Sequence, residues 1–222
     1  MEFLLALVGG LTLGSIHAFD VDHVAAVSAF TSRHPDPKKA VWFGIVWGLG
    51  HTATLLAFGG VSVALKFVIP PIVESIAEIA VGLFLIGIGI WVLRDILRRR
   101  HIHGHKHSHD GVEHFHFHSH EHAEDHRHKH SMFLVGATHG LAGTASVMVI
   151  IPITLSQSLL TAVMYLLLFG IGTIVSMGAF AYMMGTVSKF AHGRNLLPYI
   201  RGVAAVASLV VGILWMGEAM AR

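Results

Sequence analysis

Six ionisable side chains fall inside stretches of this chain that are otherwise apolar. Four of them crowd into seven residues, "HAFDVDH", as His17, Asp20, Asp22 and His23. His51 follows in "GLGHT" and His139 in "GATHGL". Imidazole and carboxylate together suit first-row divalent metals such as nickel, cobalt and zinc. At about 100° per residue, a regular helix places His17, Asp20 and His23 on one face and turns Asp22 away. Using His17, Asp22 and His23 together requires the helix to unwind or bulge around Ala18–Val21. Both geometries are open to the sequence.

Those residues need elements to hold them, and composition says what kind. The chain has 222 residues, of which 54% are hydrophobic and 13% charged, with a mean hydropathy of +0.66. Soluble domains carry about 25% charged residues, and many of the charges here lie between residues 94 and 130. The pattern is that of an integral membrane protein. In a bilayer an ionisable side chain is costly unless paired, hydrated or liganded, so each of the six is a functional candidate. The start, "MEFLLALVGG", has no basic n-region and reads as a retained first helix.

A span needs about 20 apolar residues. Six candidates emerge, at about 2–32, 38–68, 72–97, 131–151, 154–187 and 196–219. The expected fold is all-α, a polytopic membrane helical bundle. Residues 1–97 form its first half, 98–130 a loop, and 131–222 its second half. Frequent glycines inside the spans allow close helix packing. The halves echo one another: "GSIHAF" with "GATHGL", "GLGHT" with "GIGTI", and "GIW" more loosely with "GILW". Three helices per half place the second half upside down, a 3+3 inverted repeat of the kind transporters build around a midplane site with broken helices. Arg33, Lys38, Lys39, Arg98, Arg99, Arg100, Lys189 and Arg194 fall in loops 1–2, 3–4 and 5–6. By the positive-inside rule these loops are cytoplasmic and both termini lie outside.

The loop between the halves carries thirteen of the nineteen histidines: His101, His103, His105, His107, His109, His114, His116, His118, His120, His122, His126, His128 and His130. Such a tract cannot build a core and reads as a disordered, cytoplasmic metal-binding segment. Cysteine is absent, so thiolate sites and disulfides are excluded. The pI of 9.1 reflects Lys and Arg at span edges and calls for no nucleic-acid partner. Glu74 and Glu78, one turn apart, read as interfacial groups or an acidic vestibule, and Met177, Met183 and Met184 as packing.

His-x4-Asp-His, here His17, Asp22 and His23, resembles the signature of the nickel/cobalt transporter family, and "GLGHT" resembles its second histidine motif. "HGLAGTA" (139–145) is similar to the short six-helix branch that includes urease-accessory membrane proteins. The resemblance implies metal binding by His17, Asp22 and His23 with His51 participating, and Ni2+ or Co2+, with Zn2+ admissible, as transported substrate rather than prosthetic group. Longer members have eight spans and a more acidic second-half motif than "GATHGLAGTAS". No P-loop occurs, so energy would come from an ion gradient, the membrane potential or a partner ATPase. A homo-oligomer is compatible with the pattern. A membrane metal hydrolase, a metallochaperone subunit that binds without transporting, and an exporter of another solute share these residues; H-E-x-x-H is absent.

Overall fold

The structure, a computed structural model, describes residues 2–33, 36–65, 70–98, 105–109, 112–116, 128–140, 142, 151, 158–194 and 196–221. In chain order these form α1 (Glu2–His17), α2 (Val21–Arg33), α3 (Pro37–Thr54), a π-helical turn (Leu55–Gly59), α4 (Gly60–Leu65), α5 (Pro71–Arg98), β1 (His105–His109), β2 (Val112–His116), α6 (His128–His139), α7 (Leu159–Gly193) and α8 (Leu197–Ala221).

Helix starts follow local chemistry. Asp36 caps α3 by accepting from the Lys38 amide at 2.9 Å, with Pro37 in the first turn. Ser158 caps α7 through the Thr161 amide. The first span is broken. After His17 the amides of Phe19 and Asp20 reach back only three residues, to Ile16 and His17, and the Asp20 carbonyl starts α2 by accepting from Val24. The two pieces are bent by 52°. The sequence allowed a straight or a broken helix here, and the broken one forms.

Among the described residues, Pro37–Leu65, Ile72–Leu97, Leu159–Gly193 and Leu197–Ala221 are each long and apolar enough to cross a membrane. Counted as one span, the bent pair α1–α2 makes a fifth. This is fewer than the six expected. The fourth expected span, 131–151, is met by α6 only as far as His139, and residues 143–150 lie outside the described residues. The protein is thus helical and multi-pass. Side chains such as Leu4, Leu5, Leu65, Val203 and Leu214 on the outside of the bundle are exposed, as a lipid-facing surface requires.

One departure from the helical plan lies in the histidine tract. Residues 105–109 and 112–116 pair antiparallel, His105 with His116 and His107 with His114, where composition predicted no regular structure. Strict alternation of histidine with other residues has the strand period. The strands are separated in sequence by Asp110 and Gly111, a favoured two-residue hairpin pair. His128 and His130 belong to the first turn of α6. His101, His103, His118, His120, His122 and His126 lie outside the described residues.

Within the bundle α5 packs along α8, α3 lies between α7 and α6, and α1 packs on α7. Glycine sets the closest approaches. A methyl group on Gly14 of α1 would overlap the Phe169 carbonyl of α7, and one on Gly136 of α6 would overlap the Trp47 carbonyl of α3. The two pairs are related by a shift of 122 positions that exchanges the halves: Gly136 stands 122 after Gly14, and Phe169 stands 122 after Trp47. The same shift carries Gly50, set against Phe133, into Gly172, set against Leu11. Hydroxyls tie the same helices: Thr173 donates to the carbonyls of Phe169 and Gly14, and Thr52 to that of Gly170. Between α5 and α8, Ser208 donates to the Leu85 carbonyl at 2.8 Å, and Arg201 meets Asp95 at 2.6 Å. The main core cluster runs through Val27, Phe43, Trp47, Val81, Leu85, Met177 and Ala181. Glu78 is buried in α5 beside Ala77, whereas Glu74 is half-buried.

Candidate metal centre

His17 ends α1, His23 lies in the first turns of α2, His51 is in the last turn of α3, and His139 ends α6. All four imidazoles are buried. The break after His17 is what lets residues on both sides of it converge. His23 sits in the middle, its ring centroid 4.9 Å from that of His17, 5.4 Å from His51 and 5.2 Å from His139. His17, His23 and His51 each offer one nitrogen, and these nitrogens all lie within 4.8 Å of one another.

The two aspartates hold ring nitrogens rather than crowding the middle. Asp20 Oδ2 is 2.9 Å from His17 Nδ1, and Asp22 Oδ1 is 3.1 Å from His23 Nδ1. A carboxylate accepts, so each Nδ1 carries the hydrogen and each Nε2 carries a lone pair. A carboxylate behind each imidazole is the usual support for a metal-binding histidine. His17 Nε2 lies 3.2 Å from His51 Nε2. Two nitrogens at that separation subtend about 100° at an ion about 2.1 Å from both, a normal angle between neighbouring ligands. His23 Nε2 and His51 Nδ1 are buried with no hydrogen-bond partner. Among the described residues, this is the group whose donors are arranged to take a transition-metal ion.

Asp22 is 3% exposed. Its position refutes the straight-helix geometry, in which it would have turned away, and its second oxygen, Oδ2, points towards His139 Nε2 at 3.7 Å. The structure thus brings together all six residues singled out in the sequence, with Asp20 at the rim, its side chain 32% exposed.

Aromatic walls enclose the cluster. Phe169 lies 5.3 Å from the His17 ring, Trp47 lies 5.0 Å from His139 and stacks at 6.1 Å on His23, and Phe84 lies 6.1 Å from His139. Sequence reasoning missed these three. Trp47 stands one turn before His51, a signal available in "WGLGHT"; nothing local marked Phe84 or Phe169.

The family model described as the cytochrome c biogenesis protein transmembrane region matches residues 6–214. Urease accessory protein UreH of Bacillus sp. (strain TB-90) is 32% identical over 83% of this chain and 78% of its own length. A Methanocaldococcus jannaschii protein named for a nickel/cobalt efflux role is 26% identical over 91% of this chain and 88% of its own. The chain is 23% identical to the chloroplast protein FOR GROWTH AND FERTILITY 1 of Arabidopsis thaliana over 81% of this chain, spanning about half (49%) of that protein. No solved structure matches.

Proposed function

The chain belongs to the membrane family described as the cytochrome c biogenesis protein transmembrane region, among its nickel/cobalt-transporter-like members, and we propose that it moves Ni2+ or Co2+ across the bilayer. The observation that carries this reading is the convergence of His17, His23 and His51 nitrogens within 4.8 Å at a broken span. The ion exchanges water for these three imidazoles, Asp20 and Asp22 orient His17 and His23 from behind, and the carboxylates balance part of the cation's charge. Because this chain holds no cysteine, it has no thiol with which to carry a redox step of its own.

The packing also supports a two-half mechanism. The glycine contacts that hold α1 to α7 recur between α6 and α3, with Gly14 matched to Gly136 and Trp47 to Phe169 by one shift of 122 residues, as two inverted halves would require. In this mechanism the halves rock about the shared α3–α7 contact and expose the ion to alternate sides. The basic loops face the cytoplasm, which places the histidine tract there and both termini outside.

The test is Ni2+ and Co2+ flux into proteoliposomes holding the full chain, measured beside His17→Ala. Flux in the parent that disappears in the variant is the expected result. Flux untouched by His17→Ala would remove the cluster from the pathway. UreH is named an accessory protein, which favours one other reading, a subunit that binds the metal without moving it. That reading gives binding to purified protein and no flux in the parent.

A further inference from the structure

His139 is not satisfied by the arrangement just described. It caps its own helix inwards: Nδ1 donates to the Val135 carbonyl at 3.2 Å, so in the neutral ring Nε2 carries the lone pair. That Nε2 is buried, with no hydrogen-bond partner, and it faces Asp22 Oδ2 at 3.7 Å. The residue as a whole is 2% exposed, with Trp47 and Phe84 against its ring. Two buried acceptors therefore point at one another across a gap, inside an apolar wall, with nothing donated between them. A buried lone pair and a carboxylate oxygen facing one another are both satisfied by a cation placed between them.

The gap has the right size. An ion about 2.1 Å from both atoms fits between acceptors 3.7 Å apart. Asp22 spends its other oxygen on His23, so the carboxylate joins the two positions. His23 is the ring that neighbours His17 and His51 on one side and His139 on the other.

We propose that Asp22 and His139 form a second position for the transported ion, adjacent to the His17–His23–His51 position and separate from it. The inference rests on the reading of the histidine cluster as an ion-binding site. Two divalent ions so close would repel strongly in a buried site, so the positions are occupied in turn, and the ion steps from the three-imidazole position to the mixed imidazole–carboxylate one. One ligand set comes from α1–α3 and the other draws on α6, so the step hands the ion from one half of the molecule towards the other. His139 stands 122 residues after His17, and each ring rests on an aromatic residue related by the same shift: His17 on Phe169, His139 on Trp47.

The experiment is anomalous scattering from Co2+-soaked crystals of the full chain, with Co2+ flux in proteoliposomes alongside. In the parent the peak is expected at His17, His23 and His51. In His51→Ala it is expected to move between Asp22 and His139, and to vanish when Asp22→Asn, an isosteric change, is added. His139→Gln is expected to keep the parent peak, which shows that its fold is intact, while maximal flux falls about tenfold or more, within the range that losing one supporting metal partner costs, at a nearly unchanged half-saturating Co2+ concentration. A His51→Ala peak that stays at His17 and His23, or is lost, overturns the second position, as does unaltered flux in His139→Gln. Absence of any peak in the parent overturns the three-histidine reading itself, a separate result.

Discussion

His17 and His51, from different helices, bring their Nε2 atoms to 3.2 Å while both side chains are buried. Asp20 fixes the hydrogen of His17 on Nδ1, so His17 presents a lone pair to its partner. Without an ion, His51 must donate its own hydrogen; with one, both nitrogens turn to the metal. Replacing either ring removes a direct ligand. His17→Ala and His51→Ala should each lower Ni2+ affinity by more than the roughly 10–100-fold that loss of a supporting partner costs. Isothermal titration checks this best in a chain whose tract histidines are changed to glutamine.

Asp20 gives a graded prediction. It touches His17 Nδ1 at 2.9 Å from a partly exposed position. Asp20→Asn keeps the shape but can offer an amide hydrogen where an acceptor is needed, which favours the wrong tautomer of His17. Metal affinity should fall about 10–100-fold with thermal unfolding in detergent little changed. An affinity equal to the parent's would show that Asp20 does not orient His17.

How far the sequence reached depended on whether the signal was local. The histidines and aspartates announced themselves because charge is rare in the spans, and all six meet. The choice between a straight and a broken first helix was not local, since it turns on whether Asp22 finds His23 and His139. Likewise Phe169 is an ordinary apolar residue until α7 brings it to the His17 ring. Glu78 and Glu74 were alike in sequence, one turn apart near a helix end, but only Glu78 lies on the face of α5 that packs inwards with Ala77 and Val81. The strand pair in the tract was hidden by a compositional argument that ignored its two-residue alternation.

The glycine contacts predict a paired stability effect. A methyl at Gly14 meets the Phe169 carbonyl, and one at Gly136 meets the Trp47 carbonyl. Backbone cannot turn aside as a side chain can, so the helices must separate. Gly14→Ala and Gly136→Ala should each destabilise by about 1–3 kcal/mol, the usual cost of overpacking. At Gly9 nothing lies within 4 Å of an added methyl, and alanine there should be neutral or stabilising by up to about 1 kcal/mol through helix propensity. Thermal unfolding in one detergent compares all three, and equal midpoints for Gly14→Ala and Gly9→Ala would contradict the close α1–α7 approach.

Arg201 and Asp95 join α8 to α5 at 2.6 Å, with side chains 6% and 19% exposed. Removing one member of a fully buried pair costs about 3–5 kcal/mol, and the partial exposure of Asp95 reduces that here. Asp95→Asn should therefore lower the unfolding midpoint clearly while leaving Co2+ affinity at the histidine cluster unchanged. Arg201→Met together with Asp95→Leu should recover part of the loss, because neither member of the pair is then left without the other. A double variant less stable than either single one would argue that the pair is worth more than its replacement by apolar packing.

The tract prediction turns on where α6 begins. The helix starts at His128 and ends at His139, so a deletion reaching residue 130 would cut the first turn of the element that carries the Asp22 partner. Deleting only 101–127 spares it. If the tract gathers metal for the membrane site, this deletion should remove several bound ions per chain and leave flux at saturating Ni2+ close to the parent's. At limiting Ni2+ flux should fall, since the local supply is lost. The ions held by the parent's tract should be released as pH falls into the imidazole range, because protonation competes with the metal for each nitrogen. Metal content by elemental analysis, paired with flux at high and low Ni2+, reads both effects. Abolished flux at saturating Ni2+ would make the tract part of the pathway itself.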